Sequence, residues 1–156
     1  MPKKYCYCGS PSSYANCCKP FVEQQVSAST PEALLRSRYS AFCVAAKDYL
    51  IESHYPATRG LDLGKQLNTT IANTQWCSLR IITTNQTLLP QYTKIEFVAF
   101  FKNFERIGQL HDLSKFIYDK KWYYYDSTIL NPIKLGRNDF CACGSGKKLK
   151  KCHKHI

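Results

Sequence analysis

Nine cysteines occur in 156 residues, and seven of them crowd the two ends of the chain. No other feature constrains this protein as much. "CYCGSPSSYANCC" runs from Cys6 to Cys18 and "CACGSGKKLKKCH" from Cys141 to His153. Both read C-x-C-G-S, then six residues, then a cysteine and a final donor, so the chain carries one pattern twice. A disulfide framework would spread its bridges through the fold, and C-x-C neighbours bridge poorly to each other. In a reducing compartment thiols are not expected to pair at all. Four soft donors at each end match the donor count of a closed tetrahedral metal site. The expected ligands are Cys6, Cys8, Cys17 and Cys18 in the first set, and Cys141, Cys143, Cys152 and His153 in the second. Two zinc ions are expected; sulfur donors also suit iron–sulfur clusters or copper(I). His155 competes with His153 for the last position, and His153 is preferred because it matches Cys18 in the repeat. Redox use of the vicinal Cys17–Cys18 pair is the competing chemistry. Cys43 and Cys77 stand apart and read as small buried hydrophobes on a helix and a strand.

The formal charge is +11, and the chain stays basic after seven thiolates and two divalent ions are counted. That balance favours acidic partners, a protein or a nucleic acid. Lys3, Lys4 and Lys19 flank the first cysteine set. Lys147, Lys148, Lys150 and Lys151 fall inside the second. They either screen the negative metal–thiolate cluster or form a contact surface for a partner. The longest apolar run, "IEFVAFF", is too short to span a bilayer. "MPKKYCYC" lacks the apolar stretch of a signal peptide. A soluble, cytoplasmic protein is expected.

Between the clusters the pattern changes. Thr30 is placed as an N-cap, Pro31 as the first helical residue and Glu32 beside the positive helix end. Leu35, Tyr39, Phe42, Ala46 and Leu50 recur at helical spacing, with a break expected near Ala46 and an end before Pro56. Leu63, Leu67 and Ile71 predict a further helix. Four strands follow: "WCSLRIITT", "YTKIEFVAFFKNF", "QLHDLSKFIY" and "KWYYYDSTI", with turns at 105–108 and 119–121. Alternation puts Cys77, Leu79 and Ile81 on one side of the first strand, and Ile95, Phe97, Ala99 and Phe101 on one face of the second. Helices followed by an antiparallel meander predict an α+β fold with the helices covering one face of the sheet.

The repeated motif resembles the SEC-C motif, a zinc-binding module. A copy at each end, around "LLRSRYSAF" and "HDLSKFIYDKKWYYYD", is similar to the bacterial YchJ-like family over essentially the whole chain. That resemblance implies an NTF2-like middle: a cone of helices on a curved antiparallel sheet, enclosing a pocket. It divides the chain into a SEC-C motif over 1–22, an NTF2-like domain over 23–132 and a second motif over 133–156. Two positions depart from the motif. Pro11 replaces its second glycine, and Leu149 takes a place where an aromatic is common.

Candidate pocket residues are Arg38, Tyr39, His111 and Asp112, with Arg36, Tyr124 and Asp126 behind them. Adjacent His111 and Asp112 point to opposite faces of a regular strand, which argues against a His–Asp dyad. No recognisable nucleophile, acid–base pair or phosphate loop is present. The favoured function is therefore a zinc-binding adaptor that presents basic knuckles to an acidic protein or nucleic-acid partner. The alternative is an enzyme or small-ligand binder using the cone, and closed four-donor sites argue against zinc delivery. The aromatic-rich strands permit a homodimer through the sheet.

Overall fold

The computed structural model describes residues 3–86, 89–104 and 106–153. A short helix α1 (Lys19–Val22) follows the first cysteine set, and α2 (Pro31–Cys43) carries the central stripe. Thr30 caps α2 as expected: its side-chain oxygen accepts from the Ala33 N–H at 3.1 Å. The helix is more deeply buried than a one-sided amphipath. Leu34, Leu35, Ser37, Arg38, Tyr39, Ser40 and Ala41 are all inside, because the sheet covers one side of α2 and the first cysteine set covers another. The buried hydroxyls are satisfied locally. Ser37 donates to the Leu34 carbonyl at 3.0 Å and meets the Tyr49 hydroxyl at 2.7 Å.

The expected break comes at Ala45, whose φ is +58°. The Ala46 N–H reaches back to the Ala41 carbonyl at 2.9 Å, the bond that closes a helix whose next residue turns left-handed. The chain then re-enters α3 (Lys47–Glu52), and α4 (Leu63–Asn73) follows.

Strands β1 (Gln75–Gln86), β2 (Tyr92–Asn103), β3 (Arg106–Asp119) and β4 (Lys121–Ile129) pair in chain order as one antiparallel sheet. Three irregularities bend it. Cys77 and Ile82 are extra residues in β1 opposite β2, and Tyr125 is extra in β4 opposite β3. Bulges of this kind shift the in–out alternation by one. Trp76 therefore joins Leu79 and Ile81 against the core, while Cys77 is displaced from the inward set assigned to it by strict alternation. Gly108 lies within β3 rather than in a turn, under the Phe101 ring. Glu105 of that expected turn lies outside the described residues. Lys120, at φ +65°, turns the chain between β3 and β4.

The helices pack on one face of the sheet, against Ile95, Phe97, Ala99 and Phe116. Full burial of each large side chain stabilises the fold by about 2 kcal/mol. The other face is also covered, by the chain after β4. Ala142, Ile133 and Leu135 pack on Val98 and Phe100. Gln109 clamps the backbone of Ile133 with two bonds of 2.9 Å. Both edges are partly covered as well. Residues 53–55 run beside β4, where the Tyr124 N–H donates to the Ser53 carbonyl and the Tyr55 N–H to the Tyr124 carbonyl.

Candidate metal centres and the cavity

Each cysteine set closes into a knuckle by the same bonds. The Cys6 N–H donates to the Ser12 carbonyl at 2.7 Å, and the Gly9 N–H to Cys6 at 3.1 Å. In the second copy Cys141 donates to Lys147 at 2.8 Å, and Gly144 to Cys141 at 3.2 Å. Gly9 and Gly144 both hold positive φ, +86° and +78°, a region open to glycine at little cost. The copies diverge one step on. Gly146 also has positive φ, at +76°, which a proline at the matching Pro11 cannot adopt. Leu149 fills its place as a buried side chain, whereas Tyr14 in the first copy packs edge-on against Tyr7, centroids 5.4 Å apart.

The donor atoms converge. Within each set of four they lie within 4.8 Å of one another. Cys8 and Cys17 sulfurs are 3.7 Å apart, Cys17 and Cys18 3.8 Å, Cys143 and Cys152 3.6 Å. A disulfide would bring sulfurs to about 2 Å. Tetrahedral thiolates at about 2.3 Å from a zinc-like ion stand about 3.8 Å apart. His153 turns its Nδ1 to 3.2 Å from both Cys141 and Cys152. Both sets can therefore hold a metal ion, with His153 placed as the eighth donor and His155 outside the described residues. All nine cysteines are free. The hydrogen bond between Cys8 and Cys18 draws the Cys8 thiol down and pushes the Cys18 thiol up. Cys43 and Cys77 are half-buried, belong to neither set, and are less enclosed than expected.

The knuckles differ in how they are held. Cys6, Cys8 and Cys18 belong to the main core. Arg36, tied to Glu32 at 2.9 Å, donates to the Cys8 carbonyl at 2.8 Å, so it anchors a knuckle rather than lining a pocket. The second knuckle enters through Cys141 and Ala142 and leaves much of its remainder exposed. Both glycine turns meet β1. A Cβ on Gly144 would lie 2.5 Å from the Cys77 carbonyl oxygen, and one on Gly9 3.9 Å from that of Leu79. Ser78 between them donates to the Ala142 carbonyl at 2.8 Å.

Of the pocket candidates, Arg38, Tyr39, Asp112 and Tyr124 line one cavity of about 540 Å³ enclosed by α2, α4 and the inner sheet face. His111 sits on the opposite face of β3 and is no part of it, because adjacent strand residues diverge. Asp126 is exposed on β4. The periodicity did not single out His54 and Trp76, which also line the cavity. His54 follows α3 in a short irregular segment, and Trp76 enters through the bulge at Cys77.

His111 instead fastens the chain after β4. Its Nδ1 is 2.5 Å from the Asn131 carbonyl and its Nε2 2.8 Å from Glu96. Both partners only accept, so the ring satisfies both when it is protonated. Its pKa is raised from 6.5, first by the Asn131 carbonyl and then by Glu96. A pKa raised on folding gives stability that is complete below the unfolded value and fades as pH rises through the folded one. The denaturation midpoint of wild type minus that of His111→Gln is thus expected to be largest below about pH 6 and to shrink toward pH 8. A difference that is flat with pH would contradict this clasp.

A four-stranded meander backed by helices around a cavity, with a glycine-turned cysteine knuckle at each end, defines an NTF2-like body carrying SEC-C motifs. Residues 30–127 match the family described as YchJ, middle NTF2-like domain, and residues 137–154 match the SEC-C motif. A UPF0225 protein of Vibrio cholerae is 35% identical over 148 residues, 94% of this chain and 97% of that protein. A UPF0225 protein of Enterobacter sp. (strain 638) is 38% identical over 148 residues, 94% of this chain and 95% of that one. Two solved structures share the fold. The solution structure of a SEC-C motif-containing protein from Rhodopseudomonas palustris has a TM-score of 0.73 at 28% identity, covering 81% of this chain and 98% of that one. The crystal structure of a SEC-C motif-containing protein from Psychrobacter arcticus has a TM-score of 0.69 at 27% identity, covering 97% and 96%. The chain belongs to the YchJ-like UPF0225 family. Among the described residues no helix is long and apolar enough to cross a membrane.

Proposed function

We propose that this protein is a zinc-binding adaptor whose two knuckles present a basic surface to an acidic partner. The observation that carries the metal assignment is the pair of four-donor sets at tetrahedral spacing. Donors of three or four sulfurs with one imidazole or none favour zinc, and leave no open position for catalysis at the metal. Support for the adaptor comes from the surface around the sets. Between the two glycine turns runs a groove of about 560 Å³, lined by Lys3, Lys4, Tyr5 and Tyr7 on one side and by residues 77–79 on the other. Lys147, Lys148 and Lys151 are exposed and Lys150 half-buried. None of the four makes an ion pair among the described residues. Their charge is therefore left for a partner.

Elemental analysis of protein purified without added metal should find two zinc ions per chain, and one in the Cys152→Ser, His153→Ala double variant. A value near zero with all thiols titratable would sink the metal assignment. For the adaptor, the probes are a labelled single-stranded RNA oligonucleotide and a poly-glutamate peptide. Binding to one of them should weaken steeply between about 50 and 200 mM salt. Neutralising Lys147, Lys148 and Lys150 should reduce the salt slope on the single-stranded RNA by about 2. Absence of binding to both probes at low salt would overturn the adaptor and leave the zinc assignment standing.

A further inference from the structure

We propose that the cavity between α2, α4 and the inner face of the sheet binds a small monocarboxylate with an apolar or aromatic body, its carboxylate held by Arg38. Arg38 is the reason. Only 8% of it is exposed, yet it makes no ion pair among the described residues. Its Nη1 donates to the Leu50 carbonyl at 2.8 Å and to the Ser53 hydroxyl at 2.6 Å. The Tyr124 ring lies 4.6 Å from the guanidinium carbon. That uses one nitrogen. Nε and Nη2, the edge that meets a carboxylate with two parallel bonds, have no protein acceptor among the described residues. A buried cation is costly unless an anion compensates it, and the carboxylate in the wall, Asp112, makes no ion pair with Arg38.

Two further groups in the same wall lack partners. His54 Nδ1 and Trp76 Nε1 are both shut off from solvent and neither makes a hydrogen bond. His54 itself is only 9% exposed. Neither atom opens onto the cavity space, so Arg38 is the polar anchor of this wall. Burial, with Arg38 next, pushes His54 down to about 4, so it stays neutral and adds no second positive charge. Leu35, Phe42, Leu67, Phe97 and Leu110 supply an apolar surround. At about 540 Å³ the space suits a small metabolite. Asp112, bonded to the Ser114 hydroxyl at 2.8 Å, faces the same space. It disfavours a ligand with a second carboxylate.

The test uses the full-length, metal-loaded, nitrogen-15-labelled protein and follows the Trp76 indole N–H resonance, told from that of Trp122 with Trp122→Phe. The probes are 2-naphthoate and octanoate, with 2-naphthamide as the uncharged match. At least one acid is expected to shift the Trp76 resonance saturably. The amide should bind at least tenfold more weakly than naphthoate, and Arg38→Gln should weaken either acid at least tenfold. Lys134→Gln, exposed and outside the cavity, should leave binding unchanged. The proposal is overturned if neither acid moves the resonance up to its solubility limit, or if naphthoate and naphthamide bind alike. The amide comparison needs no variant, so it decides the matter even if Arg38→Gln does not fold.

Discussion

Cys18→Ser is expected to lower the unfolding temperature by about 10 °C or more, whereas Cys152→Ser lowers it by less than about 4 °C. Each substitution removes one donor from an equivalent set. The difference lies in what the set is joined to. Cys18 is 1% exposed and belongs to the main core with Cys6, Cys8, Val22, Leu34 and Leu35. Its carbonyl also accepts from Phe21 and Val22 at the start of α1. Opening the first set therefore puts a polar void beside α2. A closed zinc knuckle contributes folding free energy on the order of 10 kcal/mol in isolated peptides. Loss of even 4 kcal/mol of it to the core accounts for the larger fall, at about 2–4 °C for each kcal/mol. Cys152 is half-buried at the periphery, so its set can open without the core opening. Calorimetry of both variants, with zinc content measured on the same samples, reads the contrast. Equal falls would mean that the first knuckle is not structurally integral to the core.

The second large effect is expected at Gly144. Its Cβ would stand 2.5 Å from the backbone oxygen of Cys77, and its φ is +78°. Backbone cannot move aside as a flexible side chain can, so the turn must lift from β1. Gly144→Ala should cost about 3 kcal/mol of docking, combining left-handed strain with a hard clash. Gly146→Ala, at φ +76° with no atom within 4 Å, should cost only the strain, about 1 kcal/mol. Amide exchange over 141–152 and along residues 77–79 separates the two. Gly144→Ala should lose protection in both stretches, and Gly146→Ala should keep the protection of β1. Matching behaviour in the two variants would mean that the close approach to Cys77 does not hold the knuckle.

The features legible in the sequence were those written in short-range periodicity. The eight donors follow from a repeat with fixed offsets, and the cap at Thr30 from a local pattern of Thr, Pro and Glu. The break expected near Ala46 falls at Ala45. The strands were legible as strands, but their inward sets were not wholly so. A bulge at Cys77 is decided by what lies across the sheet, and nothing in "QWCSL" announces it. Val98 and Phe100 lie outside the face read for β2, and their cover, Ile133 to Ala142, arrives from a stretch with no regular secondary structure. The cavity was half legible. Arg38, Tyr39 and Asp112 were named from residue type and spacing, and the opposition of His111 to Asp112 follows from strand geometry. His54 and Trp76 were missed, since an irregular segment and a bulge carry no period. Arg36 was misplaced because its partner is a carbonyl in the first knuckle, far away in sequence.

The meeting of both glycine turns on residues 77–79 imposes an order of assembly. Cys6 to Cys18 emerge during synthesis before α2 and can fold early, then await the helix that covers them. The second set is made long after the strand that receives it, once the meander and the crossing stretch over its back exist. Its seat is finished before its occupant arrives. A chain stalled or cut ahead of residue 141 would carry a nearly complete body whose first strand stays half unguarded, so the final thirteen described residues act as the latch that closes a molecule already built.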